Sequence, residues 1–194
     1  MHQHVSMGYP LKKSIIIYNG FQKLVKENPE KLKKDYLNLI CVARYHPQKN
    51  HSLLISTISY FKKKYNKKFI LHLVGENIDI KNKELINLLK SNQIFDNVIL
   101  YGTISPKEVH KLFAMADISL LFSRFGESFP NVLAESMLYG TIPIATAVGD
   151  AKYIISNFGE ILSPNISPKQ ISEIILRYAN LKNYSSNVWN QKVN

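Results

Sequence analysis

Two short apolar runs, Ile118–Phe122 and Ile142–Val148, stand on either side of a stretch that reads as a loop and then a helix. Runs this short, without polar alternation, read as strands buried on both faces, which is the habit of parallel sheets. Gly126 allows a tight turn after the first run. Pro130 suits the first turn of a helix, because its missing N–H is one that no intrahelical partner would use. Val132, Leu133, Ser136, Met137 and Gly140 then recur at helical spacing. The order is strand, loop, helix, strand. Its loop lies beyond the carboxyl end of a strand, where open α/β sheets bind their ligands.

Two acids mark the ends of this joint. Glu127 lies in the loop and Glu135 on the helix, seven residues apart in between. The backbone from Ser128 through Phe129, Pro130 and Asn131 to Val132 falls at the helix N-terminus. Such a terminus carries unpaired amides and partial positive charge, and so suits a phosphate. The side chains of Phe129, Pro130 and Asn131 matter less there than the shape they give the backbone. A carboxylate two turns into the helix can accept hydrogen bonds from paired hydroxyls, as on a ribose, and Glu127 can do the same for a sugar. Two carboxylates beside a phosphate repel it, so cations must come from elsewhere in the chain. Arg44 and Lys49, in the loop that follows the apolar run Leu37–Ala43, are the candidates.

The run E-S-F-P-N-V-L-A-E-S-M, followed by a strand ending A-T-A-V-G, resembles the signature of retaining glycosyltransferase family 4, which has the GT-B fold. R-x4-K-N at Arg44–Asn50 resembles the element with which that family clamps the donor's diphosphate. The resemblance covers about residues 12 to 180 and corresponds to the second of the family's two Rossmann-like domains. It implies binding of a nucleotide-diphosphate sugar and transfer of its glycosyl group to an acceptor hydroxyl with retention at the anomeric carbon. Arg44 and Lys49 would hold the diphosphate, Glu135 the ribose and Glu127 the sugar ring, making Glu127, Arg44 and Lys49 the catalytic set. The backbone at Gly102 and Thr103 would read the base. Neither cofactor nor metal is implied. The acceptor, a sugar or a lipid-linked one, belongs to the family's first domain, supplied by a missing N-terminal GT-B domain or by a separate equivalent chain. A non-catalytic nucleotide-sugar-binding half working with such a chain is the alternative. The family's setting, cell-surface polysaccharide or glycoconjugate synthesis, implies a cytoplasmic protein with a peripheral membrane contact. Two departures are visible: Glu76-Asn77 replaces a second glycine after Gly75, and Asp150-Ala151-Lys152 replaces a second glycine and an acid after Gly149.

Taken in order, the expected fold is α/β and Rossmann-like, a mostly parallel sheet of about six strands flanked by helices. Residues 1–36 read as a hinge strand, Ser14–Tyr18, an Asn19-Gly20 turn and a Lys-rich linker with a short helix. Residues 37–180 form the donor-binding domain and 181–194 a polar tail in which Trp189 packs back on the sheet. Within the domain, strands are expected at Leu37–Ala43, Lys68–Val74, Asn97–Tyr101, Ile118–Phe122, Ile142–Val148 and Gly159–Leu162. Helices are expected over 51–64, 82–92, the stretch after Ser105, the joint after Pro130, a short one at Ile154–Ile155, and the stretch after Ser167. Ser105-Pro106-Lys107-Glu108 and Ser167-Pro168-Lys169-Gln170 are capping boxes with proline at the first helical position. His72 is expected to pack within its strand, and His110 to lie off the apolar face of its helix, in solvent.

Composition narrows the partners. A chain of 194 residues supports one domain. No apolar run reaches membrane-spanning length, and the start lacks a secretory h-region. The single cysteine, Cys41, fits a reducing compartment and sits in a buried strand. The net charge of +11 would suit nucleic acid, an anionic surface or an anionic ligand. The lysines cluster at 31–34 and 62–68, beside helix ends, as solvated faces do. No helix-turn-helix, RNP-like or zinc pattern accompanies them, so nucleic acid is not expected. His2 and His4 lie in the leading segment, and no Asp-x-Asp motif occurs.

Overall fold

The computed structural model describes residues 19–22, 24 and 36–181. Six strands form one parallel sheet: β1 (Leu37–Val42), β2 (Phe69–Val74), β3 (Val98–Leu100), β4 (Ile118–Leu121), β5 (Ile142–Thr146) and β6 (Glu160–Leu162). The helices are α1 (His51–Lys64), α2 (Lys83–Ser91), α3 (Pro106–Met115), α4 (Asn131–Met137), α5 (Ala151–Ile155) and α6 (Pro168–Leu181). The spatial order β3-β2-β1-β4-β5-β6 is that of a Rossmann-like domain. The chain travels outward from β1 to β3, returns to β4 beside β1, and travels out the other way. The crevice beyond the carboxyl ends of β1 and β4 is therefore the topological switch point.

Strand alternation feeds two cores. On β1, Leu37, Leu39 and Cys41 enter the larger one, while Ile40 enters a smaller one with Val74, Val109, Leu112 and Phe113. Residues i and i+2 share a face of a strand, so an almost wholly apolar β1 is what a sheet covered on both sides requires. α1 and α6 lie together on one side, where the Ser172 hydroxyl donates to the Thr57 carbonyl at 2.9 Å. Both expected capping boxes form. Ser105 Oγ accepts from the Glu108 amide while Glu108 takes the Ser105 amide, and Ser167 and Gln170 repeat the exchange.

The differences from the sequence reading are local. Pro130 occupies the cap position just outside α4 rather than its first turn. β5 ends at Thr146 because the Val148 amide turns back to the Thr146 carbonyl. His110 is buried, not solvated: its Nδ1 lies 2.9 Å from the Tyr139 hydroxyl, and Tyr139 stands edge-on over the ring. Helical periodicity within α3 could not show that the end of the next helical segment folds over this position. His72 is packed as expected, its Nδ1 2.9 Å from the Tyr101 hydroxyl. The Ser14–Tyr18 strand, most of the 22–36 linker with its short helix, and the tail from 182 onward lie outside the described residues.

Candidate functional site

Two loops meet at the switch point. The first leaves β1 and makes a single 3-10 turn, Pro47–Lys49, closed by Asn50 in the left-handed region (φ 54°, ψ 48°). Proline at the start of the turn and asparagine at its left-handed end are the residue types such a path favours. The turn presents Lys49 toward the loop after β4. That second loop carries Glu127, and the Lys49 ammonium forms an ion pair with its carboxylate, Nζ to Oε1. The same oxygen accepts from Ser123 Oγ at 2.6 Å. Both charged side chains are largely covered, with 17% and 10% of their surface exposed, so water screens the pair weakly.

Arg44 is exposed, and its Nη2 donates to Gln48 Oε1 at 3.3 Å. Gln48 reaches in turn across the crevice, donating from Nε2 to the Gly126 carbonyl at 2.9 Å, while its own carbonyl accepts from the Arg124 amide at 2.8 Å. Gln48 escaped the sequence reading. The available signal was its place four residues after Arg44 and next to Lys49.

The loop after β4 is braced from its other side. Gly149 adopts φ +59°, and a Cβ there would stand 2.3 Å from the Glu127 carbonyl oxygen. The Asp150 amide donates to the Ser128 carbonyl at 2.9 Å, and the buried Thr146 hydroxyl donates to the Ser123 carbonyl at 2.6 Å. The Val148–Gly149 turn therefore fixes the height of the Glu127–Ser128 backbone.

The remaining expected residues extend the site along α4. Phe129 stacks on Phe21, with ring centroids 6.1 Å apart and planes 14° from parallel. Asn131 Oδ1 accepts from Asn19 Nδ2 at 2.8 Å. Val132 packs against both cores. Glu135 lies one turn beyond Asn131 on the same helix face and is half-buried. Gly102 and Thr103 stand apart from these, at the end of β3, two strands over from β1. The Gly102 carbonyl accepts from the Gly75 amide at 2.8 Å, which ties this turn to the end of β2.

Neighbouring titratable groups are held neutral. His51, at the start of α1, is pulled down to about 4 by burial, with Lys49 adding to the shift. Burial pushes the Cys41 thiol up to about 12. Among the described residues, no group of three His, Cys, Asp or Glu is placed to hold a metal ion. No helix among them is long and apolar enough to cross a membrane.

An all-parallel sheet with this strand order, and charged side chains converging beyond the carboxyl ends of its two central strands, defines a Rossmann-like domain with its candidate ligand site at the switch point. Residues 22–192 match the family model described as glycosyl transferases group 1, and the chain belongs to that family. An uncharacterized 41.2 kDa protein in the cps region of Klebsiella pneumoniae is 26% identical over 161 residues, covering 79% of this chain and 42% of that protein. The GDP-Man:Man(3)GlcNAc(2)-PP-Dol alpha-1,2-mannosyltransferase of Dictyostelium discoideum is 28% identical over 119 residues, 55% of this chain and 23% of that protein. The chain thus spans less than half the length of the curated relatives it matches. Among solved structures, Anabaena Alr3699/HepE in complex with UDP and glucose superposes with a TM-score of 0.76 at 19% identity, over 95% of this chain and 52% of that one. At that identity the likeness is one of fold.

Proposed function

We propose that the chain is the donor-binding half of a retaining glycosyltransferase of family 4 and binds a nucleotide-diphosphate sugar at the β1/β4 switch point. The observation that carries this reading is the Lys49–Glu127 pair, which sets a cation and a carboxylate side by side where two loops leave adjacent parallel strands. A leaving nucleoside diphosphate gains negative charge as the glycosidic bond breaks. A guanidinium and an ammonium fixed beside it lower the energy of that state. Arg44 and Lys49 take this role, with the amides of Ser128, Phe129, Asn131 and Val132, before and at the start of α4, adding their N–H groups. Glu127 accepts from the sugar's hydroxyls, Glu135 from the ribose, and the main chain at Gly102 and Thr103 contacts the base. Retention places the acceptor oxygen on the face of the sugar from which the diphosphate departs.

The partial relatives named above include a GDP-mannose enzyme, and the fold neighbour holds UDP, so the base stays open in this proposal. The acceptor is a sugar or a lipid-linked sugar, bound by a first GT-B domain, and the setting is the assembly of a surface polysaccharide or glycoconjugate on the cytoplasmic side of a membrane. Calorimetric titration with UDP-, GDP- and ADP-sugars tests the donor reading. One class should bind, and Arg44→Ala should weaken it about ten- to a hundredfold, the worth of charge-assisted hydrogen bonds to phosphate. Absence of binding by every class, or binding indifferent to Arg44→Ala, would refute the proposal.

A further inference from the structure

The two loops of the site are joined by more than the ion pair, and the extra joint runs through a residue that carries no charge. Three of Gln48's hydrogen bonds run in three directions. Its main-chain carbonyl takes the Arg124 amide at 2.8 Å, its Nε2 donates to the Gly126 carbonyl at 2.9 Å, and its Oε1 receives Arg44 Nη2 at 3.3 Å. The first two fasten the β1 loop to the β4 loop on either side of Phe125. The third holds the guanidinium near the peptide that precedes Glu127.

The chain is built to let Gln48 do this. His46 Nδ1 accepts from the Gln48 amide at 3.2 Å and shapes the 3-10 turn that aims the side chain across the crevice. Opposite, Gly126 adopts φ +72°, and a Cβ there would meet Gln48 Nε2 at 2.9 Å. The backbone angle favours glycine at this position, and the close approach shows how tightly the carboxamide seats against it.

We infer that Gln48 is a positioning residue of the donor site: it latches the two loops in register and sets the direction of Arg44, so that the cation and the Glu127 loop present one surface to a diphosphate. The inference rests on the donor-site reading above for its functional half only. The latch is a property of the free protein. A carboxamide is the group suited to the task, because it offers a donor to Gly126 and an acceptor to Arg44 from one planar unit. Glutamate keeps the shape and the acceptor but loses the donor, and turns a negative oxygen toward a carbonyl. Lysine keeps a donor for Gly126 and loses the acceptor.

Amide hydrogen exchange on the free chain reads the latch. Gln48→Ala and Gln48→Glu should each speed exchange at the Arg124 amide, bonded to the Gln48 carbonyl, and at the Asp150 amide, bonded to the Ser128 carbonyl, by about two- to tenfold, the worth of one net hydrogen bond. Gln48→Lys should keep these amides near the wild-type rate. Exchange unchanged in both Gln48→Ala and Gln48→Glu overturns the inference, as does an equal rise spread over the whole sheet, which marks general destabilisation. Calorimetry with UDP, GDP and ADP against uridine, guanosine and adenosine reads the functional half. Gln48→Ala should weaken the bound diphosphate by about three- to tenfold while leaving its nucleoside unchanged. Equal weakening of both, or of neither, overturns the positioning role. If no nucleotide binds the wild-type chain, the donor reading fails, and the exchange result still decides the latch.

Discussion

The Val148–Gly149 turn is the sharpest test of how rigidly the site loop is held. In Gly149→Ala the new Cβ would stand 2.3 Å from the Glu127 carbonyl oxygen and 2.7 Å from both its carbon and the Ser128 oxygen. All three neighbours are main-chain atoms, so no side chain can swing aside. The loop must withdraw by about 1 Å to reach the separation at which heavy atoms pack. It is held against that movement by the Asp150–Ser128 and Thr146–Ser123 hydrogen bonds. Alanine also pays for φ +59°, at about 1–2 kcal/mol. Overpacking of this kind adds about 1–3 kcal/mol. The total of about 2–5 kcal/mol should lower the melting temperature by on the order of 10 °C in a domain of this size. Gly140→Ala is the control. Its φ of +74° carries the same backbone strain, but nothing lies within 4 Å of the added atom, so only about 1–2 kcal/mol should be lost. Thermal and urea denaturation of the two variants side by side isolates the clash from the strain. Equal losses would refute the argument that the turn pins the Glu127 loop.

Other outcomes follow from the same geometry. His51 and His72 are both lowered from 6.5 to about 4, chiefly by burial, with Lys49 pushing His51 further and Asp117 partly opposing for His72. The unfolded chain protonates them near pH 6.5 and the folded chain does not until about pH 4. Their contribution is therefore whole above pH 6.5 and is lost as pH falls toward 4, at about 2 kcal/mol each by pH 5. Urea midpoints that stay level between pH about 7.5 and about 5 would contradict this. Cys41 is buried with its thiol raised to about 12, so a disulfide reagent at mildly alkaline pH should label it only on unfolding, and prompt labelling of the native chain would be the wrong result. Ser105→Ala removes the capping box of α3 and should cost about 1 kcal/mol, read as a fall of about 2–4 °C in melting temperature.

How much of this was legible in the chain can be judged from particular residues. The strands after Leu37, Phe69, Ile118 and Ile142 announce themselves because a sheet covered on both faces needs unbroken apolar runs. Both capping boxes were readable because their partners lie three residues apart, and local spacing is what a sequence displays directly. Lys49 and Glu127 stand out in the sequence through their motifs, but nothing in it shows them to be partners.

Sequence alone therefore determined the α/β alternation and the starts of the two helices that open on capping boxes. Tertiary structure decided who meets whom. Lys49 and Glu127 lie 78 positions apart, as do Gln48 and Gly126, and only the placement of β4 beside β1 closes those distances. The burial of His110 beneath Tyr139, and the approach of Gly149 to the Glu127 backbone, depend likewise on how separate segments stack. The physical reason is range: propensity and periodicity act within a few residues of each other, whereas a site at a switch point exists only after the whole sheet has been ordered.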